Sequence, residues 1–405
     1  MTHVAIIGAG PAGAALALIL ASRQIRTTLI ERRRDFAREF RGEILMPSGI
    51  SALASIGVTD IADKVPTFTP GNFSFYLNTQ RLLTLDLEPD WFAGTPPMAI
   101  SQPAFLEYLI DKALATGYLH FLRGASVRSL MKDSDRVTGL TYEDDAGEQD
   151  LPADLVIGCD GRNSLLRRML DLGVSAINTP MDIVWFKVPC PDALNGVRAY
   201  AGRGHLLIAY KTWDGNLQIG WIILKGYYKT VKGEGTRHWL QEMERHVTDD
   251  LAEHLAANRS ALEHPFLLVS ESNRVTRWSR PGALVIGDAA HTMSPVGGQG
   301  INIALRDSIV AANYLVPLLQ GNTIDHNLLD TALIAIETER VREVAPVQQF
   351  QAQPPKLVLN SAWWSEPVRS IAGFALANAS DGLRARAASR LKPLLFGLTD
   401  VKLEV

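Results

Sequence analysis

The sequence predicts an α/β protein, in which a Rossmann-like nucleotide-binding domain is interrupted by an antiparallel β-sheet domain and followed by a C-terminal helical segment. Three observations predict this class. Short apolar strands alternate with helices in three separated blocks, which is typical of a parallel sheet with right-handed crossovers. A glycine-rich turn joins the first predicted strand to the first helix. Between the later blocks, residues 183–224 carry the alternating, β-branched and aromatic pattern of antiparallel strands.

The individual elements follow from the hydrophobic period of each segment, which is two in a half-buried strand and near 3.6 in a helix. In chain order we predict strand 3–7, helix 12–22, strand 27–30, alternating residues 72–87, a helix from 103, strands 120–130, 137–142 and 154–157, helix 164–172, strands 183–188, 206–210 and 217–224, strand 283–286 and helix 301–315. The changes in pattern assign residues 1–70, 98–172 and 273–345 to the nucleotide-binding domain, 71–97 and 173–272 to the sheet domain, and 346–405 to the helical segment.

Composition excludes several classes of protein. The 405 residues carry a net charge of −3, which gives no reason to expect a nucleic-acid-binding or membrane-binding surface. The two cysteines, Cys159 and Cys190, form no CxxC pair, so neither a disulfide framework nor a dithiol flavoenzyme is predicted. Residues 4–21 are apolar but contain a phosphate-loop glycine pattern and lack a basic leader. We therefore expect a cytoplasmic protein without a transmembrane segment or a metal site.

The first motif is a GxGxxG turn between the first strand and the first helix. Gly8 permits the tight turn, Gly10 lets the backbone approach a pyrophosphate, and Gly13 lets the helix pack against the sheet. Glu31 ends the second strand, where an acid hydrogen-bonds a ribose hydroxyl. The next residue, Arg32, opens a basic run that either contacts phosphate or is a solvated face.

Two further motifs each follow an apolar strand. Asp160 lies in an Asp-Gly segment, where its carboxylate either accepts from a ligand or caps the next helix. Asp288 lies in a Gly-Asp segment that continues through a glycine-rich turn, 295–302, into a helix, and such a helix N-terminus favours a negatively charged ring edge. We interpret His291, in the same segment, as a hydrogen-bonding loop residue rather than a base.

These three motifs, in this order, resemble those of the group A flavin monooxygenases, the para-hydroxybenzoate hydroxylase family that includes the ubiquinone-biosynthesis hydroxylases. The resemblance covers about residues 1–345. It implies one FAD, bound tightly but not covalently. It implies cofactor contacts from Gly8, Gly10, Pro11, Ala12 and Gly13 to the pyrophosphate, from Glu31 and Arg32 at the adenosine end, from Asp288 to the ribityl chain, from Pro295, Gly298, Gly300, Ile301 and Asn302 along the isoalloxazine, and from Arg41, Gln102 and Asp160.

The resemblance also implies a reaction. NAD(P)H reduces the flavin, O₂ forms a C4a-hydroperoxide, and an OH group passes to an aromatic or quinone-like small molecule. The sequence assigns no catalytic acid or base, and it leaves a homodimer open. In the sheet domain, Met181, Trp185, Tyr210 and Trp221 are candidates for an apolar pocket or ordinary sheet core, and His205 and Lys187 are candidate substrate contacts or exposed strand residues.

Three other functions remain open. A reductase or dehydrogenase of the isoprenoid-lipid type would use the same scaffold and differ only in its pocket. A flavin halogenase typically carries a GxWxWxIP pattern, of which residues 220–223 are only a faint echo in another part of the chain. A flavin-bearing interaction protein would use the basic C-terminal stretch, 383–395, on a partner or a membrane surface, although a helix that closes over the nucleotide domain is the alternative.

Overall fold

A computed structural model of the chain describes residues 2–37, 44–87, 92, 94–202, 204–233, 236–262, 265–321, 323–353, 359–360 and 392–405. The strands are β1 (His3–Ile7), β2 (Arg26–Glu31), β3 (Ile44–Leu45), β4 (Thr67–Phe68), β5 (Asn72–Leu77), β6 (Gln80–Asp86), β7 (Met98–Ile100), β8 (Leu119–Arg123), β9 (Ser126–Asp133), β10 (Arg136–Asp144), β11 (Gly147–Pro152), β12 (Leu155–Gly158), β13 (Val174–Ile177), β14 (Met181–Pro189), β15 (Val197–Gly202), β16 (His205–Lys211), β17 (Asn216–Leu224), β18 (Phe266–Val269), β19 (Ser272–Val275), β20 (Ser279–Arg280), β21 (Ala283–Val285) and β22 (His291–Thr292). The α-helices are α1 (Pro11–Ser22), α2 (Pro47–Ser55), α3 (Ile61–Lys64), α4 (Gln102–Leu114), α5 (Leu165–Met169), α6 (Tyr227–Gly233), α7 (Thr236–Glu244), α8 (Asp249–Ala257), α9 (Gly300–Leu319), α10 (His326–Gln351) and α11 (Lys392–Phe396).

A six-stranded sheet forms the nucleotide-binding half, in the order β20-β21-β12-β1-β2-β8. All neighbours are parallel except the edge strand β20, which confirms the predicted parallel sheet built from separated parts of the chain. The central strands β1, β12 and β21 are apolar and buried, as in parallel sheets that are covered by helices. Helix α1 is buried along most of its length and packs against α4 and α9.

The predicted strand 120–130 is wrong as a single element. It is two strands, β8 and β9, that belong to different sheets. The chain turns between them at Gly124, which has a φ of +80° that favours glycine. The backbone N–H groups of Gly124 and Ala125 both donate to the Glu31 carbonyl, at 2.7 and 3.1 Å, and this ends the pairing with β2.

A seven-stranded sheet forms the second half, in the order β18-β14-β17-β16-β15-β5-β6. Its neighbours are antiparallel, as predicted, apart from β5 and β15, which run parallel. This exception arises because the β5–β6 hairpin enters the sheet from an earlier part of the chain, before α4. Such an arrangement of distant segments is not readable from strand periodicity.

The two faces of this sheet have different partners. One face packs against α7 and α8 and includes Val184, Phe186, Ile219, Trp221 and Ile223. Trp221 is therefore ordinary sheet core. The opposite face carries Met181, Ile183, Trp185 and Ile222, which pack together with Val296 from the nucleotide-binding half.

The C-terminal segment is only partly described. Helix α10 runs to Gln351 and α11 covers Lys392–Phe396, while residues 354–358 and 361–391, including most of the basic stretch, lie outside the described residues. Over the part of the chain that is described, no helix combines the length and the apolar character needed to cross a membrane.

Candidate functional site

The three glycines of the GxGxxG turn differ in whether the fold leaves room for a side chain. The fold requires glycine at two of these positions and does not require it at the third. Gly8 has a φ of +96°, and a Cβ there would lie 2.6 Å from the Cys159 carbonyl oxygen. A Cβ on Gly13 would lie 1.9 Å from the Gly8 carbonyl oxygen. A Cβ on Gly10 would have no heavy atom of the described residues within 4 Å. The described residues therefore leave open space at Gly10, where the backbone is accessible to a ligand.

Helix α1 presents its N-terminus to this space. Gly10 is its N-cap residue, Pro11 is its first residue, and none of the described side chains caps it. The backbone N–H groups of a first helical turn point outwards and carry the positive end of the helix dipole. Ala12, in that turn, has only a methyl side chain, so the approach is not obstructed. The arrangement suits a phosphate.

Glu31 is turned towards the loop. Its side chain is 6% exposed, and its two oxygens accept from the backbone N–H groups of Ala9 (3.1 Å) and Arg33 (3.0 Å). The carboxylate therefore fixes the glycine-rich turn to the end of β2. Arg32, between these contacts, is exposed. Each Glu31 oxygen has a second lone pair, so the acid can also accept from a ribose hydroxyl.

Asp160 has two differently placed oxygens. Oδ2 accepts from the backbone N–H groups of Leu165 (2.6 Å) and Leu166 (3.2 Å) at the start of α5, which is the capping role that the sequence left open. Oδ1 is buried and has no hydrogen-bond partner among the residues that the structure describes. A buried acceptor without a partner costs free energy, so this oxygen is suited to a ligand donor.

Arg167 links the Asp-Gly segment to the Gly-Asp segment. Its guanidinium is largely buried and donates to the carbonyl oxygens of Ala289 (3.0 Å) and Arg162 (2.6 Å). Burial lowers its pKa, and the nearby Asp160 partly offsets that shift. Sequence analysis missed this residue. A basic residue at the start of a short helix usually belongs to a solvated face, so only its burial identifies the role.

Asp288 lies next to the N-terminus of α1. The preceding Gly287 has a φ of +60°, and a Cβ there would lie 3.1 Å from the Ala12 Cβ. Asp288 itself is half-buried and occupies the 3₁₀ turn Gly287–Ala289. The Gly-Asp segment is therefore in contact with the glycine-rich turn, as a single extended ligand across both would require.

A buried network of charges holds the Gly-Asp turn. Asp307 Oδ2 accepts from the Gly287 backbone N–H at 2.9 Å and contacts His291 Nε2 at 2.6 Å, while Oδ1 accepts from Arg340 Nε at 2.7 Å. Arg340 also donates to Glu343, at 2.6 Å, and Arg306 donates to both Glu343 oxygens. His291 is thus a hydrogen-bonding residue, as interpreted, but it is fully buried and paired with an acid.

The network keeps its acids ionised. Burial alone would raise the pKa of the Asp307 carboxyl, but His291 and Arg340 outweigh burial and lower that pKa to about 2. Glu343 behaves in the same way: burial opposes the charge, and Arg340 and Arg306 lower its pKa. The sequence held one signal of this network, because Arg306 and Asp307 interrupt an otherwise apolar helix and buried charges require partners.

The glycine-rich turn before α9 is tied to the segment 44–49. The fully buried Asn302 accepts from the Met46 backbone N–H at 2.9 Å and donates to the Gly298 carbonyl at 2.8 Å. A Cβ on Gly49 would lie 2.1 Å from Asn302 Oδ1. Gly298 has a φ of +61°, and none of the described heavy atoms would lie within 4 Å of a Cβ on Gly300.

The remaining predicted contacts are positioned as follows. Pro295 and Gly298 are half-buried in this turn, and Ile301 is buried in the first turn of α9. Gln102 is the first residue of α4 and follows the N-cap residue Ser101, just after β7, which pairs with β3. Arg41 lies outside the described residues. The structure therefore brings the three motifs together at the carboxyl ends of the neighbouring strands β1, β12 and β21, which is the end of a parallel sheet where ligands bind.

These features fit a dinucleotide with a second ring system. The open space at Gly10 and the uncapped α1 suit a pyrophosphate, the orphaned Asp160 Oδ1 suits a hydroxyl donor, and the open turn at Gly300 suits a ring edge. FAD has these groups in this order. When bound, FAD supplies the redox chemistry, and the protein supplies binding, orientation and exclusion of water.

Comparison with known proteins agrees with this geometry. A family described as an FAD binding domain matches residues 1–346. The chain is 29% identical over 369 residues to 6-methylpretetramide 4-monooxygenase from Streptomyces rimosus, covering 91% of this chain and 87% of that protein. It is 27% identical over 374 residues to a 3-(3-hydroxy-phenyl)propionate/3-hydroxycinnamic acid hydroxylase from Mycolicibacterium smegmatis, covering 85% of this chain and only 62% of that longer protein. The crystal structure of P. aeruginosa PqsL in complex with 2-aminobenzoylacetate has the same fold, with a TM-score of 0.78, 19% identity and coverage of 93% and 99%.

Proposed function

Since the chain belongs to the FAD-binding family of group A flavin monooxygenases, we propose that it hydroxylates an aromatic or quinone-like small molecule, with NAD(P)H as the transient reductant. The observation that carries the proposal is the contact between the seven-stranded sheet and the nucleotide-binding half of the protein. The apolar face of the seven-stranded sheet contacts Val296, which belongs to the turn 295–298 that we expect along the flavin ring. A ring substrate held on that face would lie against the cofactor.

The overall reaction balances without any further reagent. NAD(P)H, a proton, O₂ and the aromatic C–H substrate give NAD(P)⁺, water and the phenol. Bound FAD supplies the redox steps, and one oxygen atom of O₂ enters the product while the other leaves as water. The apolar surroundings of the junction exclude bulk water, which protects reactive oxygen species from unproductive decay.

The residues of this chain have distinct proposed roles. Gly8, Gly10, Pro11, Ala12 and Gly13 form the pyrophosphate cradle, with Glu31 and Arg32 at the adenosine end. Asp160 and Asp288 accept from hydroxyl groups along the cofactor, and Asn302 fixes the turn beside its ring. His291, Asp307 and Arg340 are positioning residues, because they hold the turn that carries Asp288. The cofactor-binding roles of Arg41 and Gln102 rest on the family resemblance.

Two relatives support an aromatic substrate. The M. smegmatis relative is named as a hydroxylase of 3-(3-hydroxy-phenyl)propionate, a compound with a hydroxylated phenyl ring, and the S. rimosus relative is named as a monooxygenase of 6-methylpretetramide. The flavin halogenase alternative gains nothing from the sequence echo at 220–223, since Trp221 there is core packed against the helices rather than a residue of the junction.

The proposal is tested by flavin reduction in purified, FAD-loaded protein. NADH or NADPH is mixed anaerobically with the protein, with and without a panel of phenols, quinols and fused-ring aromatics, and the loss of flavin absorbance is timed. We expect at least one compound to accelerate reduction and then to gain one oxygen atom when O₂ is admitted. If reduction is fast, yet every panel compound is recovered unchanged or reduced, the protein is a reductase or dehydrogenase on this scaffold.

A further inference from the structure

The face of the seven-stranded sheet that contacts Val296 has a polar end and an apolar end. Strand alternation defines it: the residues of β14, β16 and β17 that do not face the helices all lie on this side. We call it the junction face, and it includes Met181, Ile183, Trp185, Lys187, Leu206, Ile208, Tyr210, Gln218, Gly220 and Ile222. The residues at one end are aliphatic. At the other end, Lys187, Gln218 and Tyr210 are cross-strand neighbours in one row.

Trp185 lies at the boundary between the two ends and is held in place by Gly220. Gly220 lies between Trp185 and Ile208 in the register of the sheet. A Cβ on Gly220 would lie 2.7 Å from the indole Cζ3 and 3.0 Å from Cη2. The six-membered ring of the indole therefore occupies the gap that the missing side chain leaves. Any larger residue at position 220 would displace it.

The indole N–H of Trp185 is a buried donor with no acceptor among the described residues. Gln218 Oε1, on the same face, is likewise buried and unpartnered within the described chain. Trp185 and Gln218 are diagonal neighbours across β14 and β17, at a separation of about 7–8 Å between backbones. Orphaned indole N–H groups also occur at Trp213 and Trp278, so an orphaned donor alone does not identify a site. Trp185 differs from both because its indole packs on the junction face, which contacts Val296 in the turn 295–298.

We propose that Trp185 determines substrate specificity by donating its indole N–H to an oxygen of the bound ring, with the Gln218 amide beside it for a neighbouring polar group. This proposal rests on the proposed function. Because an indole N–H donates and cannot accept, the ligand must present an acceptor, either a carbonyl or a phenolate oxygen. Because the end of the junction face away from Lys187, Gln218 and Tyr210 is aliphatic, the body of the ligand is an apolar ring system.

A phenolate accepts a stronger hydrogen bond than a neutral phenol does. The Trp185 donor therefore favours the ionised form of a bound phenol and lowers its pKa, with the proton released to solvent. An ionised phenol has a more electron-rich ring, which is the form that accepts an electrophilic oxygen. Trp185 would thus act on the substrate without itself exchanging a proton.

The test compares 2-naphthol and naphthalene as probes in FAD-loaded protein without NAD(P)H, so that no turnover occurs. Binding and the pKa of bound 2-naphthol are followed by its fluorescence and absorbance as pH is raised. Trp185→Phe keeps an aromatic ring but removes the donor and part of the ring volume, and binding of naphthalene, which has no acceptor, measures the effect of the lost volume. We expect it to weaken 2-naphtholate binding about tenfold and to raise the pKa of the bound naphthol by about one unit, with less than about a twofold change for naphthalene. Trp213→Phe, the same chemical change at the hairpin turn, is the matched control and is expected to change neither.

Gly220→Ala gives an independent variant, because it keeps the donor but displaces the indole. It is expected to reproduce the loss for 2-naphthol, and retained FAD absorbance verifies the fold of each variant. The proposal is overturned if wild-type protein shows no saturable 2-naphthol binding, if Trp185→Phe affects both probes equally, or if Trp213→Phe matches it. Hydroxylation of an aromatic substrate with an unaffected Trp185→Phe variant would refute this assignment alone. Trp185-dependent binding without oxygen insertion would refute only the proposed monooxygenase activity.

Discussion

Gly10→Val is expected to weaken FAD binding while leaving the stability of the fold almost unchanged. Gly10 has φ −72° and ψ −176°, an extended conformation that any residue adopts, and no heavy atom of the described residues lies within 4 Å of the position of its Cβ. Valine therefore fits the protein without the cofactor. Its cost to folding is that of replacing glycine by a poor N-cap residue, which is under about 1 kcal/mol.

In the FAD-bound protein, by contrast, the valine side chain would clash with the pyrophosphate. A pyrophosphate in ordinary contact with the Gly10 backbone lies about 3.5–4.0 Å from Cα. A Cβ extends about 1.5 Å from Cα, so it would stand about 2–2.5 Å from the ligand and force it to move. Overpacking of this kind costs about 1–3 kcal/mol, which weakens FAD binding by about 5- to 150-fold.

The assay is FAD titration of the apoprotein, followed by quenching of flavin fluorescence, together with thermal unfolding of the same apoprotein. Gly13→Ala is the contrasting variant, because its Cβ would lie 1.9 Å from the Gly8 carbonyl oxygen and must disturb the turn itself. We expect Gly10→Val to lose affinity and keep its unfolding temperature, and Gly13→Ala to lose both. Full FAD affinity in Gly10→Val would refute the assignment of this turn to the pyrophosphate.

Three further predictions concern the Gly-Asp turn. Asp288→Ala is expected to lower FAD occupancy, measured as the ratio of flavin to protein absorbance after purification, and a fully yellow variant with unchanged turnover would contradict the role of that motif. The Asp307 pKa of about 2 lies below its unfolded value, so this carboxylate contributes about 2 kcal/mol of stability that is present above about pH 4 and is lost as pH falls towards 2. Asp307→Asn leaves Arg340 buried without its full partner and is expected to cost about 3–5 kcal/mol at neutral pH, while removing this carboxylate's contribution to the loss of stability on acidification. Chemical unfolding across this pH range checks both statements, and an Asp307→Asn variant as stable as the wild type would show that the network does not hold the turn.

Local sequence patterns were sufficient to predict those elements of the fold that depend only on residues close together in the sequence. The GxGxxG turn, the apolar strands β1, β2, β12 and β21, and the helix after the second glycine-rich turn each follow from residues close together in sequence. The parallel sheet and the contact between the Gly-Asp segment and α1 then follow from general rules of α/β topology.

Features that depend on distant residues were not predictable. The break between β8 and β9 depends on a carbonyl of Glu31, far away in sequence. The parallel pairing of β5 with β15 depends on how two separate segments meet. The role of His291 depends on Asp307 and Arg340, which approach it from α9 and α10. Arg340 and Glu343 are spaced as on any exposed helix, and only the packing of α10 against α9 shows that both are buried.

Trp185 and Trp221 illustrate the same limit within one sheet. Both are aromatic residues of neighbouring strands, and composition made them equal candidates for the pocket. Register decides between them: Trp185 is paired with Gly220, so Trp221 points to the opposite face and packs against the helices. A shift of β17 by one residue in that pairing would bring Trp221 to the same face as Trp185.

The most direct test of the central claim is the origin of the oxygen in the product. FAD-loaded protein is supplied with NAD(P)H, a panel phenol that accelerates flavin reduction, and ¹⁸O₂ in unlabelled water, and the product is analysed by mass spectrometry. A monooxygenase incorporates one ¹⁸O atom per product molecule, in proportion to the NAD(P)H that is consumed productively. A product that carries only solvent oxygen, or NAD(P)H oxidation that yields hydrogen peroxide with every panel compound unchanged, would contradict the account.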